Sequence, residues 1–252
     1  MSENFSRSPC VVDALPARVI PDATSSDAAR SIGTALRWRV AVSDRAFDRL
    51  FPDEVRDRSS IHWTPVSVAA KAAVWLMPEP GMCVLDVGSG PGKLCCIGAV
   101  MQGGKWHGVE RDASLVEVAR ATAQLLSIDE VATFCVGEMD TVSWSDFEAF
   151  YLYNPFAAIL FGPAPFDSHV RWRMLTDQIA QTEELLAARP DGTRVVTYEG
   201  FGGTMPDSYT ASNVERFGDT QLTLWIKQRS KHRPSRSQAA PPRRNVGQSC
   251  NP

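Results

Sequence analysis

Val84-Leu85-Asp86-Val87-Gly88-Ser89-Gly90-Pro91-Gly92 (VLDVGSGPG, residues 84–92) combines a short apolar run, one acid inside it, and three glycines at alternate positions. An apolar run that ends in glycines just before a helix-compatible segment reads as a strand–turn–helix junction. Glycine there lets the backbone come close to a ligand, and the free N–H groups at the start of the helix favour polar or anionic groups. The stretch is therefore read as the nucleotide-type ligand loop of an α/β fold. A dinucleotide fingerprint requires G-x-G-x-x-G, and Lys93 stands where its third glycine would be. A nicotinamide dehydrogenase is accordingly disfavoured.

Downstream of this loop the pattern alternates. A strand over residues 82–88 precedes a helix over 93–101, a strand over 105–110, a helix over 113–126 and strands over 131–137 and 147–154. Trp172, Leu175, Ile179 and Leu186 then recur at helical spacing before Pro190, Asp191 and Gly192, and a fifth strand covers 193–200. Strands alternating with helices imply a parallel sheet with crossover helices. Two β-rich runs separated by Phe217, Gly218 and Asp219 suit a closing hairpin. The expected fold is α/β: a Rossmann-like sheet of five parallel strands plus a C-terminal antiparallel hairpin, with helices on both faces. Upstream, Thr64 is placed to cap a helix with Pro65 in its first turn, and Pro78, Pro80 and Gly81 end that helix.

Composition bounds the rest. The 252 residues allow one sizeable core, and the 44% hydrophobic and 22% charged shares are those of an ordinary globular protein. No apolar run is long enough for a membrane span, and the first thirty residues lack a secretory pattern, so a cytoplasmic location is expected. Six cysteines and four histidines show no metal-ligand spacing, and no metal site is expected. The net charge of −3 hides an asymmetry: residues 229–252 carry six basic side chains and no acid, leaving 20 basic against 29 acidic residues elsewhere. Residues 1–30 and this basic tail are expected to be disordered, residues 31–60 to form a helical extension, and residues 61–228 to form the main domain. The tail is a candidate for nucleic-acid contact.

The spelling Asp86-x-Gly88-x-Gly90-x-Gly92 resembles the first motif of class I S-adenosylmethionine-dependent methyltransferases, and the run His62-Trp63-Thr64-Pro65 is similar to ones in bacterial methyltransferase-like proteins of undefined substrate. The resemblance implies S-adenosylmethionine as cofactor, held by Asp86, Gly88, Ser89, Gly90 and Gly92. It also implies an acid at the end of the second strand for the ribose hydroxyls. Glu110, followed by Arg111, stands there, 22 residues after Gly88. After the third strand, Gly137-Glu138-Met139 offers Glu138 to the adenine amine and Met139 to the ring. Trp63 and Thr64, within His62-Trp63-Thr64-Pro65, lie where relatives fold a segment over the cofactor.

In the branch that methylates amino groups, the fourth strand is followed by Asn or Asp, two prolines and an aromatic residue. The present chain has Asn154-Pro155-Phe156, one proline short. An amide oxygen and a backbone carbonyl can accept both hydrogens of an amino group and direct its lone pair, while a ring fixes the plane. The motif favours an amino nitrogen acceptor slightly, with protein, small-molecule and nucleic-acid acceptors all open. Asn154 is counted with the cofactor-binding residues too, and Glu199 at the end of the fifth strand is a candidate general base. A non-catalytic S-adenosylmethionine-binding regulatory or scaffold module is the alternative reading.

Overall fold

The computed structural model describes residues 23–57, 63–156, 159 and 167–229. Its centre is a seven-stranded sheet in the order β3-β2-β1-β4-β5-β7-β6. The strands are β1 (Cys83–Val87), β2 (Lys105–Glu110), β3 (Ala132–Val136), β4 (Ala149–Leu152), β5 (Arg194–Tyr198), β6 (Tyr209–Phe217) and β7 (Thr220–Lys227). The first five are parallel, and β7 and β6 add an antiparallel edge. Gly218, with φ 63°, opens the two-residue turn of that hairpin and supplies the positive φ the turn requires. The fold expected from the sequence is the one observed.

Helices cover both faces. On one side lie α1 (Ala23–Arg37), α4 (Val66–Leu76), α5 (Lys93–Gln102) and α6 (Ala113–Leu125), sharing a core that includes Leu36, Leu76, Ile97, Trp106 and Val116. On the other, α7 (Ser168–Ala187) covers Leu85, Phe150, Leu152 and Val195 through Leu175 and Leu186. The order in which strands are added reverses between β1 and β4, which lie side by side and parallel: β2 and β3 extend the sheet one way and β4 and β5 the other. In open α/β sheets the crevice beyond the strand ends at such a switch point is where ligands bind.

Three expectations are corrected. Helix α1 begins at Ala23, inside the stretch expected to be disordered, because Ala29, Ile32 and Leu36 give it a buried face. Thr64 does not cap α4: Pro65 holds the cap position, and the Val66 N–H donates to Asp44 Oδ1 at 2.9 Å. Trp172 is 62% exposed, since the buried part of α7 starts only at Leu175. The tail beyond Arg229 lies outside the described residues, as do residues 1–22.

The N-terminal extension contains two short helices, α2 (Asp44–Phe47) and α3 (Asp53–Arg56), and it is fastened to the sheet domain by a buried cation. Lys93, the first residue of α5, is 2% exposed, and its Nζ lies 2.6 Å from Asp44 Oδ1 and 2.8 Å from Asp48 Oδ1. A lysine at a helix N-terminus opposes the helix dipole, so the two carboxylates are what make the position tolerable. Because Asp44 also caps α4, one carboxylate joins the extension, α4 and α5. Lys93→Met keeps the stem's volume but leaves Asp48 buried without its cation. Chemical unfolding should show a loss of about 3–5 kcal/mol, and a change below about 1 kcal/mol would show that the triad does not hold the extension.

Candidate functional site

The glycine loop joins β1 to α5 at the switch point, and all three glycines are left-handed, with φ of 75°, 54° and 76° at Gly88, Gly90 and Gly92. A side chain would also be crowded at Gly88 and Gly90 and would collide at Gly92. A Cβ on Gly88 would come within 3.1 Å of Pro155 Cα, and one on Gly90 within 3.3 Å of the Trp63 ring. At Gly92 the obstruction is the Phe134 ring at 2.6 Å, so this glycine serves helix–sheet packing beneath the loop. The loop thus touches the segment after β4 on one side and Trp63, ahead of α4, on the other.

Sheet backbone and one carboxylate hold the loop's shape. The Gly88 and Ser89 N–H groups both donate to the Val109 carbonyl, at 2.9 and 3.1 Å. Glu110, at the end of β2, accepts from the Gly90 N–H at 3.0 Å through Oε2 and from the Asp112 N–H at 2.9 Å through Oε1. Each carboxylate oxygen has two lone pairs, so both keep an acceptor site after these bonds form. A half-buried, backbone-oriented carboxylate with spare acceptors beside a loop closely approached on both flanks fits a ribose diol. Alongside, Arg111 Nε lies 3.7 Å from Glu138 Oε1, and both side chains are about half exposed.

Other predicted site residues are placed differently. Thr64 is buried and shares a 2.9 Å hydrogen bond with the Tyr151 hydroxyl. Ser89 Oγ is buried with no hydrogen-bond partner among the described residues. Met139, expected against the adenine ring, is 3% exposed and packs under α7, where Thr182 Oγ1 donates to its sulfur at 3.1 Å. Phe156, expected to flank the acceptor, is 7% exposed and joins the same core as Leu175. Of the Asn154-Pro155-Phe156 turn, only Asn154 is exposed, and its φ of 42° reverses the chain at the end of β4. His62, expected in the segment over the cofactor, and residues 157–158 and 160–166 lie outside the described residues.

Asp86 is fully buried under the loop. Cys95 Sγ donates to its Oδ2 at 3.7 Å, and burial first of all, with the Glu110 charge adding to it, pushes the carboxyl up to about 7 despite that bond. Burial likewise pushes the Cys95 thiol up. Sequence reasoning missed the Lys93–Asp44–Asp48 triad, although a lysine within the apolar run after Gly92 and two acids four residues apart were visible. Trp63 is ordered over Gly90 by an edge contact with Phe51, at 5.7 Å between ring centroids.

Residues 78–181 match a family model described as a methyltransferase domain. The fold is similar to an RNA methyltransferase from Salinibacter ruber solved in complex with S-adenosyl-L-homocysteine: 19% identity, 67% of this chain, 95% of that one, TM-score 0.50. Also similar are the putative methyltransferase yhhF from Escherichia coli (14% identity, 64% and 85% of the two chains, TM-score 0.47) and TrmN from Thermus thermophilus (15%, 69% and 52%, 0.48). No curated protein matches the chain in sequence. Among the described residues, no helix is long and apolar enough to cross a membrane.

Asp86 gives the site a pH signature. Its folded-state value near 7 lies above the ordinary 3.8, so the folded protein holds the proton more tightly than the unfolded chain does. The resulting stabilisation is complete below about pH 4 and is lost as pH rises through 7. Relative to Asp86→Asn, the wild type should lose up to about 4 kcal/mol between those limits in unfolding titrations. A difference that stays constant with pH would show that Asp86 is not buried in its neutral form.

Proposed function

We propose that this chain, a class I S-adenosylmethionine-dependent methyltransferase, carries out its transfer between the glycine loop and the turn at Asn154, with an amino nitrogen as acceptor. The observation that carries the reading is the approach of Pro155 to Gly88, 3.1 Å from a Cβ position, which sets the turn after β4 directly against the loop after β1. When bound, S-adenosylmethionine supplies a methyl group made electrophilic by its sulfonium.

Glu110 accepts from the ribose hydroxyls with the lone pairs that Gly90 and Asp112 leave free. Gly88 and Gly90 let the backbone approach the cofactor, Trp63 roofs it, and Gly92 seats the loop on the sheet. Asp86 supports the loop from below and Ser89 lies in its bend; Thr64 acts through Tyr151. Glu138 is exposed to accept from the adenine amine, with Arg111 orienting it. On the acceptor side, the Asn154 amide oxygen and a backbone carbonyl of the turn accept the N–H bonds of an amino group and direct its lone pair toward the loop. Pro155 stiffens the turn, and Phe156 anchors it in the core. Protein, small molecule and nucleic acid remain the acceptor classes, and an RNA methyltransferase shares this fold.

The test is transfer from methyl-labelled S-adenosylmethionine to a cell lysate. Label should enter a base-stable, nitrogen-linked product, and Asn154→Ala should lower kcat by about 10²-fold or more, the scale of lost positioning, with cofactor affinity unchanged. Cofactor binding without transfer to any fraction would overturn the reading in favour of a binding module. Label on oxygen or sulfur would overturn the choice of acceptor atom.

A further inference from the structure

The parallel pairing of β4 with β5 brings Leu152 beside Thr197, Tyr153 and Tyr198 follow as ring neighbours, and Asn154 and Glu199 are the next residue on each strand. Two of these four are strained. Asn154 has φ 42° and Glu199 has φ 58°, each in the left-handed region that glycine occupies without cost. A non-glycine residue there costs on the order of 1 kcal/mol or more and persists where the side chain has a use. Asparagine tolerates the conformation, but glutamate has no such local excuse, and a glycine is next in sequence at Gly200.

The Glu199 backbone N–H donates to the Gln221 carbonyl at 2.9 Å, which ties the residue to β7 and fixes its direction. Its side chain is exposed and makes no hydrogen bond or ion pair with any described residue. Next to it, the half-buried Tyr153 ring lies 4.8 Å from the Tyr198 ring at an interplanar angle of 54°, and Tyr198 is held by a 2.7 Å bond between its hydroxyl and Thr220 Oγ1. Burial first, then the Glu199 charge, pushes the Tyr153 phenol up, so the carboxylate stands near enough to be felt there.

A carboxylate without a partner beside aromatic rings is an environment for a positive charge. The carboxylate attracts it at short range, and the ring faces add a cation–π term. Resting on the transfer reading above, we infer that the acceptor is an alkylamine, bound as its ammonium form by Glu199 and the Tyr153 ring with the nitrogen presented to Asn154. Alkylamines are protonated at neutral pH. The bound ammonium passes one N–H proton to solvent by way of the exposed carboxylate, and the neutral amine then has the lone pair that Asn154 directs. Glu199 is thus a specificity residue, and a nucleobase amine, uncharged and attached to a polyanion, is disfavoured at the same place.

The experiment labels a cell lysate with methyl-labelled S-adenosylmethionine and the wild-type protein, then separates the products on a cation exchanger at neutral pH. Label should be retained as a cationic product. With that retained fraction as substrate, Glu199→Gln should raise KM by about tenfold, as loss of one charge-assisted contact predicts, and lower kcat through loss of the proton's path to solvent, while cofactor affinity and melting temperature stay unchanged. Label in the anionic or neutral fractions, or a KM unaffected by Glu199→Gln, would overturn the alkylamine assignment and leave the transfer reading standing. No label in any fraction overturns the transfer reading itself.

Discussion

The hydrogen bond from the Gly90 N–H to Glu110 Oε2 is the contact around which the site is organised. It spans two adjacent strands: the acid ends β2, and the amide belongs to the loop that ends β1. Without it, a loop with three left-handed glycines would have many accessible shapes, because glycine loses more backbone freedom on ordering than any other residue. The same carboxylate, through its other oxygen, accepts from Asp112 and so fixes the start of α6. One side chain therefore sets the loop, the strand end and the next helix in a common frame.

A second constraint works from outside the sheet. Lys93 lies at the far end of the loop, on the first turn of α5, and its two aspartates draw the extension down onto the domain. The path then runs through Asp44 to the start of α4 and through Phe51 to Trp63, whose ring lies against Gly90. Loop, Trp63 ring and helix start are thereby coupled through contacts of known distance. The turn after β4 has its own support: Pro155 packs on Gly88 and joins that turn to the glycine loop across the switch point.

Much of the fold was legible because alternating strands and helices are a periodic signal, and the loop because glycine at positive φ is a local need. Glu110 was readable for the same reason, since the end of a strand fixes its neighbourhood. What could not be read depended on partners distant in sequence. The cap of α4 comes from Asp44, 22 residues before Val66, so Thr64 looked like the cap although its hydroxyl is turned to Tyr151. Met139 and Phe156 have side chains suited to a ligand, but their direction is set by α7, which covers both. Glu199 was visible as a strand-end acid; its strained backbone and its place beside Tyr153 were not.

The central claim, that the loop and Glu110 form an S-adenosylmethionine site, is tested most directly by calorimetric titration of the folded protein with S-adenosylhomocysteine. The account predicts one saturable site per chain, weakened by about 1–3 kcal/mol in Glu110→Ala, the scale for leaving a buried polar partner unsatisfied. No measurable heat from a folded wild-type sample, or binding indifferent to Glu110, would contradict it.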